Sequence, residues 1–259
     1  FRSCTSLDDV SLPSNIAYMG EEAFGGCWDL RRDGFIIVNN VLYGYQADEN
    51  DTSKGKVAVP GGVTRISKGA FYGDSGLRSV VVPDSVKTID VEAFADCDEL
   101  QRIQIGKGAT DITWFDRDAD MSWCDDWFND AVGRTQEPRS FCNCQKLGSV
   151  EISAQNPAFK TVDDFVCDKA GGTLLYCPPM MLNVVTPKSV RNIAPGAFYR
   201  SYYISGLSFG GSVTNIADNA FQECYYLTKV DLPVGLISIG QYAFNWCEGL
   251  ENIRIPDDF

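Results

Sequence analysis

Histidine is absent from the 259 residues. That removes every Ser-His-Asp or Cys-His nucleophile pair and every His-ligated metal centre, so only carboxylate, Tyr or Lys chemistry is left for catalysis. Positive charge is scarce as well. Against 22 Lys and Arg stand 35 Asp and Glu, a net charge of −13. Chains that grip phosphate backbones cluster their basic residues, so this balance argues against nucleic acid and equally against anionic lipid. No window approaches the roughly 18 consecutive apolar residues that cross a bilayer, and no basic n-region with an apolar h-region opens the sequence. Membrane insertion and a signal peptide are therefore not read in this chain. Hydrophobic residues make up 44%, well above the composition of a disordered segment.

What is present is a repeat. Phe1, Phe24, Phe71, Phe94, Phe141, Phe198, Phe221 and Phe244 fall into one column, at steps of 23, 47, 23, 47, 57, 23 and 23. Three residues after each Phe comes Cys4, Cys27, Asp74, Cys97, Cys144, Ser201, Cys224 or Cys247, and three further on an aliphatic residue such as Leu77, Leu100 or Leu227. A Val-x-Ile pair follows, as in Ile103 and Ile105, and Pro or Gly usually ends the run. Self-similarity at this length marks a solenoid. Leu-x-x-Val-x-Ile suits one short strand with alternate burial, and proline stops it because it has no N–H to donate. The Ile-x-x-x-Ala-Phe segment then returns along the other side, with Ala small because backbones crowd there and Phe filling the interior. A lone coil buries too little to offset its ordering. Neighbours must seal its faces and pair its strands.

The stretches "AFADCDELQRIQI", "VVVPDSVKTIDVEAF" and "LPVGLISIGQYAFNWCEGLENIRIP" carry a resemblance. The pattern Ile-Gly-x-x-Ala-Phe-x-x-Cys-x-x-Leu-x-x-Val-x-Ile-Pro-x-x-Val resembles the BspA-like leucine-rich repeat, also called the Treponema pallidum type. The resemblance implies a leucine-rich repeat solenoid, with a parallel β-sheet on one face and short turn, 3₁₀ or helical segments on the other. It also implies a secreted or surface-displayed protein of bacteria or some protozoa, engaged in adhesion and protein binding rather than catalysis, with no cofactor. One continuous solenoid is expected over residues 1–259, as part of a longer surface protein.

Three coils are expanded, at about 31–59, 106–141 and 153–186. In the first and last, Val38-Asn-Asn-Val41 parallels Val162-Asp-Asp-Phe165, and "DKAGGT" between apolar runs signals a hairpin. The middle one departs from the family pattern after Ile112 and holds Trp114, Trp123 and Trp127 among Asp111, Asp116, Asp118, Asp120, Asp125, Asp126 and Asp130. Aromatic anchors on loops are the commonest binding hot spots. The competing expectation is a satellite core of tryptophans with solvated aspartates. An EF-hand starting at Asp116 fails, since Met121 and Trp127 occupy the Gly and Glu positions.

Six of the ten cysteines belong to the repeat column and are read as small buried free thiols. Cys124, Cys142, Cys167 and Cys177 lie outside it. A bridge among them stays open, although a two-residue turn centred on Ala170-Gly171 sets Cys167 against Leu174. On the strand face the outward residues are Asp9 and Ser11, Ser79 and Val81, Arg102 and Gln104, Ser149 and Glu151, Gly206 and Ser208, Lys229 and Asp231, and Asn252 and Arg254. This mixed polar strip suits a broad protein-binding face. Binding of a host or neighbouring-cell protein is the main functional expectation. Glycan binding through segment 111–130 is the alternative. A hydrolase built on two of its aspartates would need carboxylates about 5–5.5 or 6.5–9.5 Å apart across a cleft.

Overall fold

The computed structural model describes residues 1–13, 20, 23–47, 55–114, 140–211 and 213–256. Alternating apolar residues build the longer strands. β3 (Lys56–Ala58), β5 (Ser79–Val82), β7 (Arg102–Ile105) and β9 (Ser149–Ile152) pair in parallel as one four-stranded sheet. β13 (Asn183–Thr186), β15 (Gly206–Phe209), β17 (Lys229–Asp231) and β19 (Asn252–Arg254) form a second. Register is direct: Val80 lies beside Ile103 and Val82 beside Ile105, all buried. Strands β3 and β13 fall in the two expanded coils where a hairpin is expected and no further repeat strand. Their signature, Val57-x-Val59-Pro60 and Val184-x-Thr186-Pro187, is nevertheless the same strand ending as Val80-x-Val82-Pro83. Around Asp9 and Ser11, read as outward strand residues, no strand forms.

On the opposite side the isoleucine column contributes strands of only two residues. β4 (Arg65–Ile66), β6 (Thr88–Ile89) and β8 (Asp111–Ile112) stack in parallel on the hairpin of β1 (Phe35–Val38) and β2 (Val41–Tyr45). β14 (Asn192–Ile193), β16 (Asn215–Ile216) and β18 (Ser238–Ile239) stack on the antiparallel run β10 (Phe159–Val162), β11 (Phe165–Asp168) and β12 (Thr173–Tyr176). The only helix among the described residues is a 3₁₀ turn, Trp28–Leu30. The architecture is thus a leucine-rich repeat solenoid with β-hairpins in its expanded coils. Asn39-Asn40 and Asp163-Asp164 form the tight hairpin turns, both residues of each pair having positive φ. That conformation gives a two-residue turn the twist of its strands, and Asn and Asp tolerate it best. Cys167 does pair with Leu174.

The phenylalanine column is a ring stack. Phe71 and Phe94 lie 4.7 Å apart at 10°, Phe94 and Phe141 5.4 Å apart at 16°. Phe198 and Phe221 follow at 4.6 Å, and Phe221 and Phe244 at 5.0 Å. Tyr45 joins Phe71 at 5.3 Å and Tyr176 joins Phe141 at 5.9 Å, so the hairpin coils supply tyrosines where the 23-residue step is broken. Where column phenylalanines follow directly, the N–H donates to the carbonyl of the residue before the next one: Phe71 to Ala93, Phe94 to Ser140, Phe198 to Ala220 and Phe221 to Ala243, at 2.7–2.9 Å. Tyr45 and Cys177 make the same bond to Ala70 and Ala197.

The cysteine column has its own cross-coil partner. The thiols of Cys27, Cys97, Cys144, Cys224 and Cys247 donate to the carbonyls of Phe1, Phe71, Phe94, Phe198 and Phe221, at 3.0–3.1 Å. Cysteine suits this place as a small apolar side chain with a weak donor. The two exceptions, Asp74 and Ser201, follow the hairpin coils, where the preceding coil has no phenylalanine at the column position. Asp74 turns back to accept from the N–H groups of Gly76 and Leu77. Ser201 Oγ is buried with no partner among the described residues.

Two outcomes follow from this packing. Phe94→Ala should lower stability by about 3–5 kcal/mol, because the ring is fully buried between two others; a denaturant titration measures it. Burial pushes Cys144 and Cys224 well up and Cys167 up to about 12. In native protein at mildly alkaline pH a thiol reagent should therefore label exposed Cys4 at once, and these three only after unfolding.

Candidate functional site

The outward strand residues are tied to one another. Arg102 Nη2 and Gln104 Nε2 on β7 donate to Glu151 Oε2 on β9, at 2.7 and 3.0 Å. These bonds, Arg102 first, hold the Glu151 carboxyl below its ordinary range. Lys229 Nζ bonds Asp231 within β17 at 2.8 Å. Arg254 is exposed on β19. Arg102, Gln104 and Glu151 belong to one strand sheet and Lys229, Asp231 and Arg254 to the other, so the strip is divided. Trp114 does not face solvent. It is 8% exposed and its ring packs on Phe141, Phe159 and Tyr176, which removes it from the candidate ligand surface. Trp123, Trp127, Asp116, Asp118 and Asp120 lie outside the described residues. The two ends of their segment are held together, since Ser140 N–H donates to the Thr113 carbonyl at 2.9 Å.

A second surface emerges from the backbone. Among the described residues the backbone turns left-handed both two residues before and two after the column Phe. The earlier position holds Gly69, Glu92, Gly196, Asn219 and Tyr242, all at positive φ. The later holds Ser3, Gly26, Gly73, Asp96, Asn143, Arg200, Glu223 and Trp246, likewise. Gly, Asn and Asp are at ease there, but Arg, Glu, Tyr and Trp are not. Of these bulky residues Glu92 belongs to the Phe94 coil, while Arg200, Glu223, Tyr242 and Trp246 fall in the last three coils.

There they frame an aromatic edge. Glu223 is buried and accepts from three groups: Tyr199 Oη at 3.0 Å, Arg200 Nε at 2.7 Å and Tyr225 Oη at 3.0 Å. Arg200 also lies 5.4 Å from the centre of the Tyr199 ring. Burial and the Glu223 charge raise the Tyr225 phenol above its ordinary range. Tyr202 and Tyr225 stack at 5.7 Å and 6°, while Tyr203 and Tyr226 beside them are 40% and 66% exposed. The same two columns hold Ser75 and Gly76, Asp98 and Glu99, and Gln145 and Lys146 in other coils.

A family model for a BspA-type leucine-rich repeat region matches residues 1–47, 44–116 and 175–259, with six copies. The chain belongs to the BspA-type leucine-rich repeat family. No curated protein matches it. Among solved structures, a leucine-rich repeat protein from Eubacterium ventriosum is 17% identical, with 83% of this chain and 65% of that one covered and a TM-score of 0.48. One from Bacteroides ovatus is 19% identical over 84% and 49%, with a TM-score of 0.49. The leucine-rich repeat protein of T. pallidum is 21% identical over 84% and 75%, with a TM-score of 0.39. The chain thus spans less than two thirds of the length of the first two. The family assignment rests on the repeat region.

The BspA-type pattern specifies Ala, Phe, Cys, Leu and the strand aliphatics, and the structure shows each of them bonded or packed. Tyr199, Arg200, Tyr202 and Tyr203 sit at its unspecified positions, as do Glu223, Tyr225 and Tyr226. Spacing analysis passed them over because they do not recur. Comparing each column's free positions between coils would have found them. Strain at this edge is measurable. Tyr242 has φ 56° and is 66% exposed, so Tyr242→Asn should raise stability by about 1 kcal/mol in a denaturant titration.

Proposed function

We propose that this chain is a non-enzymatic protein-interaction module of the extracellular or cell-surface kind, and that it adheres to a protein on a host or neighbouring cell. One observation carries the reading. Four tyrosines, Tyr202, Tyr203, Tyr225 and Tyr226, occupy columns where other coils bear Trp28 and Asp29, Ser75 and Gly76, Asp98 and Glu99, or Gln145 and Lys146, so the fold does not demand tyrosine there. Tyrosine offers a large amphipathic contact at low cost in side-chain entropy and is enriched at binding hot spots. Within the group Tyr203 and Tyr226 are exposed, while the half-buried Tyr225 turns its hydroxyl in to Glu223. The family supports an external location. Residues 1–259 are read as one solenoid, because the β10–β12 region serves both cores: Val166 and Tyr176 pack with the first, Phe165 and Leu174 with the second.

The test is adhesion of fluorescent protein to cells. Tyr203→Ala with Tyr226→Ala should reduce binding by about tenfold, and protease treatment of the cells should abolish it. Loss on Arg102→Ala with Glu151→Ala alone would move the contact to the strand face. Loss on glycosidase treatment alone would favour a glycan.

A further inference from the structure

The aromatic edge has a sign, and reading it rests on the protein-binding function proposed above. The chain already displays one way of using it: the Arg200 guanidinium sits over the Tyr199 ring and is held by Glu223. One coil further on, aromatic and carboxylate groups come together again at the surface. Gly249 N–H donates to the Tyr225 carbonyl at 2.9 Å, and Glu251 N–H to that of Thr228 at 3.1 Å. These bonds set Glu248 beside the column of Tyr225 and Gly249 beside that of Tyr226. A side chain at Gly249 would meet the Tyr225 carbonyl at 2.6 Å, so glycine is required there, and Tyr226 is 66% exposed. Glu248 and Glu251 are exposed and form no ion pair among the described residues. In the same coils Arg200 is matched by Glu223 and Lys229 by Asp231, and Arg254 stands exposed on β19.

We propose that this edge docks a basic polypeptide segment, with an Arg or Lys side chain lying over the Tyr226 ring between Glu248 and Glu251. A cation over an aromatic face is attracted by the ring quadrupole, and neighbouring carboxylates add charge complementarity that speeds encounter. The overall charge of −13 acts in the same direction at long range.

The experiment uses fluorescent Gly-Ser peptides carrying spaced arginines, with serine and glutamate versions as comparison, read by anisotropy. The arginine peptide should bind, and the other two should not. Tyr226→Ser and Glu248→Gln should each weaken it by about tenfold, and Tyr226→Phe should retain it. Asp9→Asn, an equal change of charge at an exposed site in the first coil, should leave affinity unchanged. Circular dichroism confirms that each variant is folded. Equal weakening by Asp9→Asn would reduce the effect to net charge and overturn the proposal, as would binding insensitive to Tyr226 and Glu248. Equal, Tyr226-dependent binding of the serine peptide would overturn the cationic occupant and leave the protein-binding reading standing. That reading falls separately, if cell adhesion ignores Tyr203 and Tyr226.

Discussion

Everything in this molecule hangs on the contact between one Ala-Phe unit and the next. The phenylalanine ring lies on its neighbour's ring, and its N–H bonds the carbonyl of the alanine or serine ahead of that neighbour. Ring stacking removes apolar surface that a coil cannot hide by itself, and the amide bond meets a backbone demand that burial would otherwise leave costly. Because the amide bond fixes the distance between coils, the thiol three residues later is brought onto the preceding phenylalanine carbonyl. Strand pairing then follows in register. Stability of this kind is a sum over neighbours, so damage at one ring loosens both adjoining coils.

The same contact explains how the exceptions are accommodated. A hairpin coil has no phenylalanine at the column position, but Tyr45 and Cys177 offer the N–H to Ala70 and Ala197, and Tyr45 and Tyr176 continue the aromatic stack. The long segment after Trp114 interrupts the sequence and not the stack. Phe94 still meets Phe141, and β7 still pairs with β9. Insertions are tolerated where their two ends leave the coil at one place.

Which features could be read from residues alone depended on whether the physics recurs. The ring column, the strand ends and the buried thiols were legible because each coil solves the same packing problem with the same side chain. The hairpins were legible from Val38-Asn-Asn-Val41 and its counterpart. Strands β3 and β13 were hidden because their segments were judged by length, although Pro60 and Pro187 mark their ends. The paired left-handed turns were hidden for a different reason. Gly69 and Gly73 hint at them, but Arg200, Glu223 and Trp246 occupy such turns against their own preference. Trp114 was misplaced because a tryptophan in an unusual loop draws attention whether it anchors a ligand or fills a core.

That last contrast separates two kinds of position in a repeat fold. A side chain that recurs is answering to its neighbours, so recurrence marks structure. A bulky side chain held in a conformation it disfavours, in a column where glycine or aspartate serves elsewhere, is answering to something else. Arg200 and Glu223 are held at such turns by their bond to each other and by Tyr199 and Tyr225. Backbone strain of this sort costs about 1–3 kcal/mol per residue and persists only where its surroundings enforce it. Here the enforcing network positions Tyr225 and, beside it, Tyr226. The strain is therefore coupled to the display of exposed aromatic rings, on a surface whose composition the solenoid does not dictate.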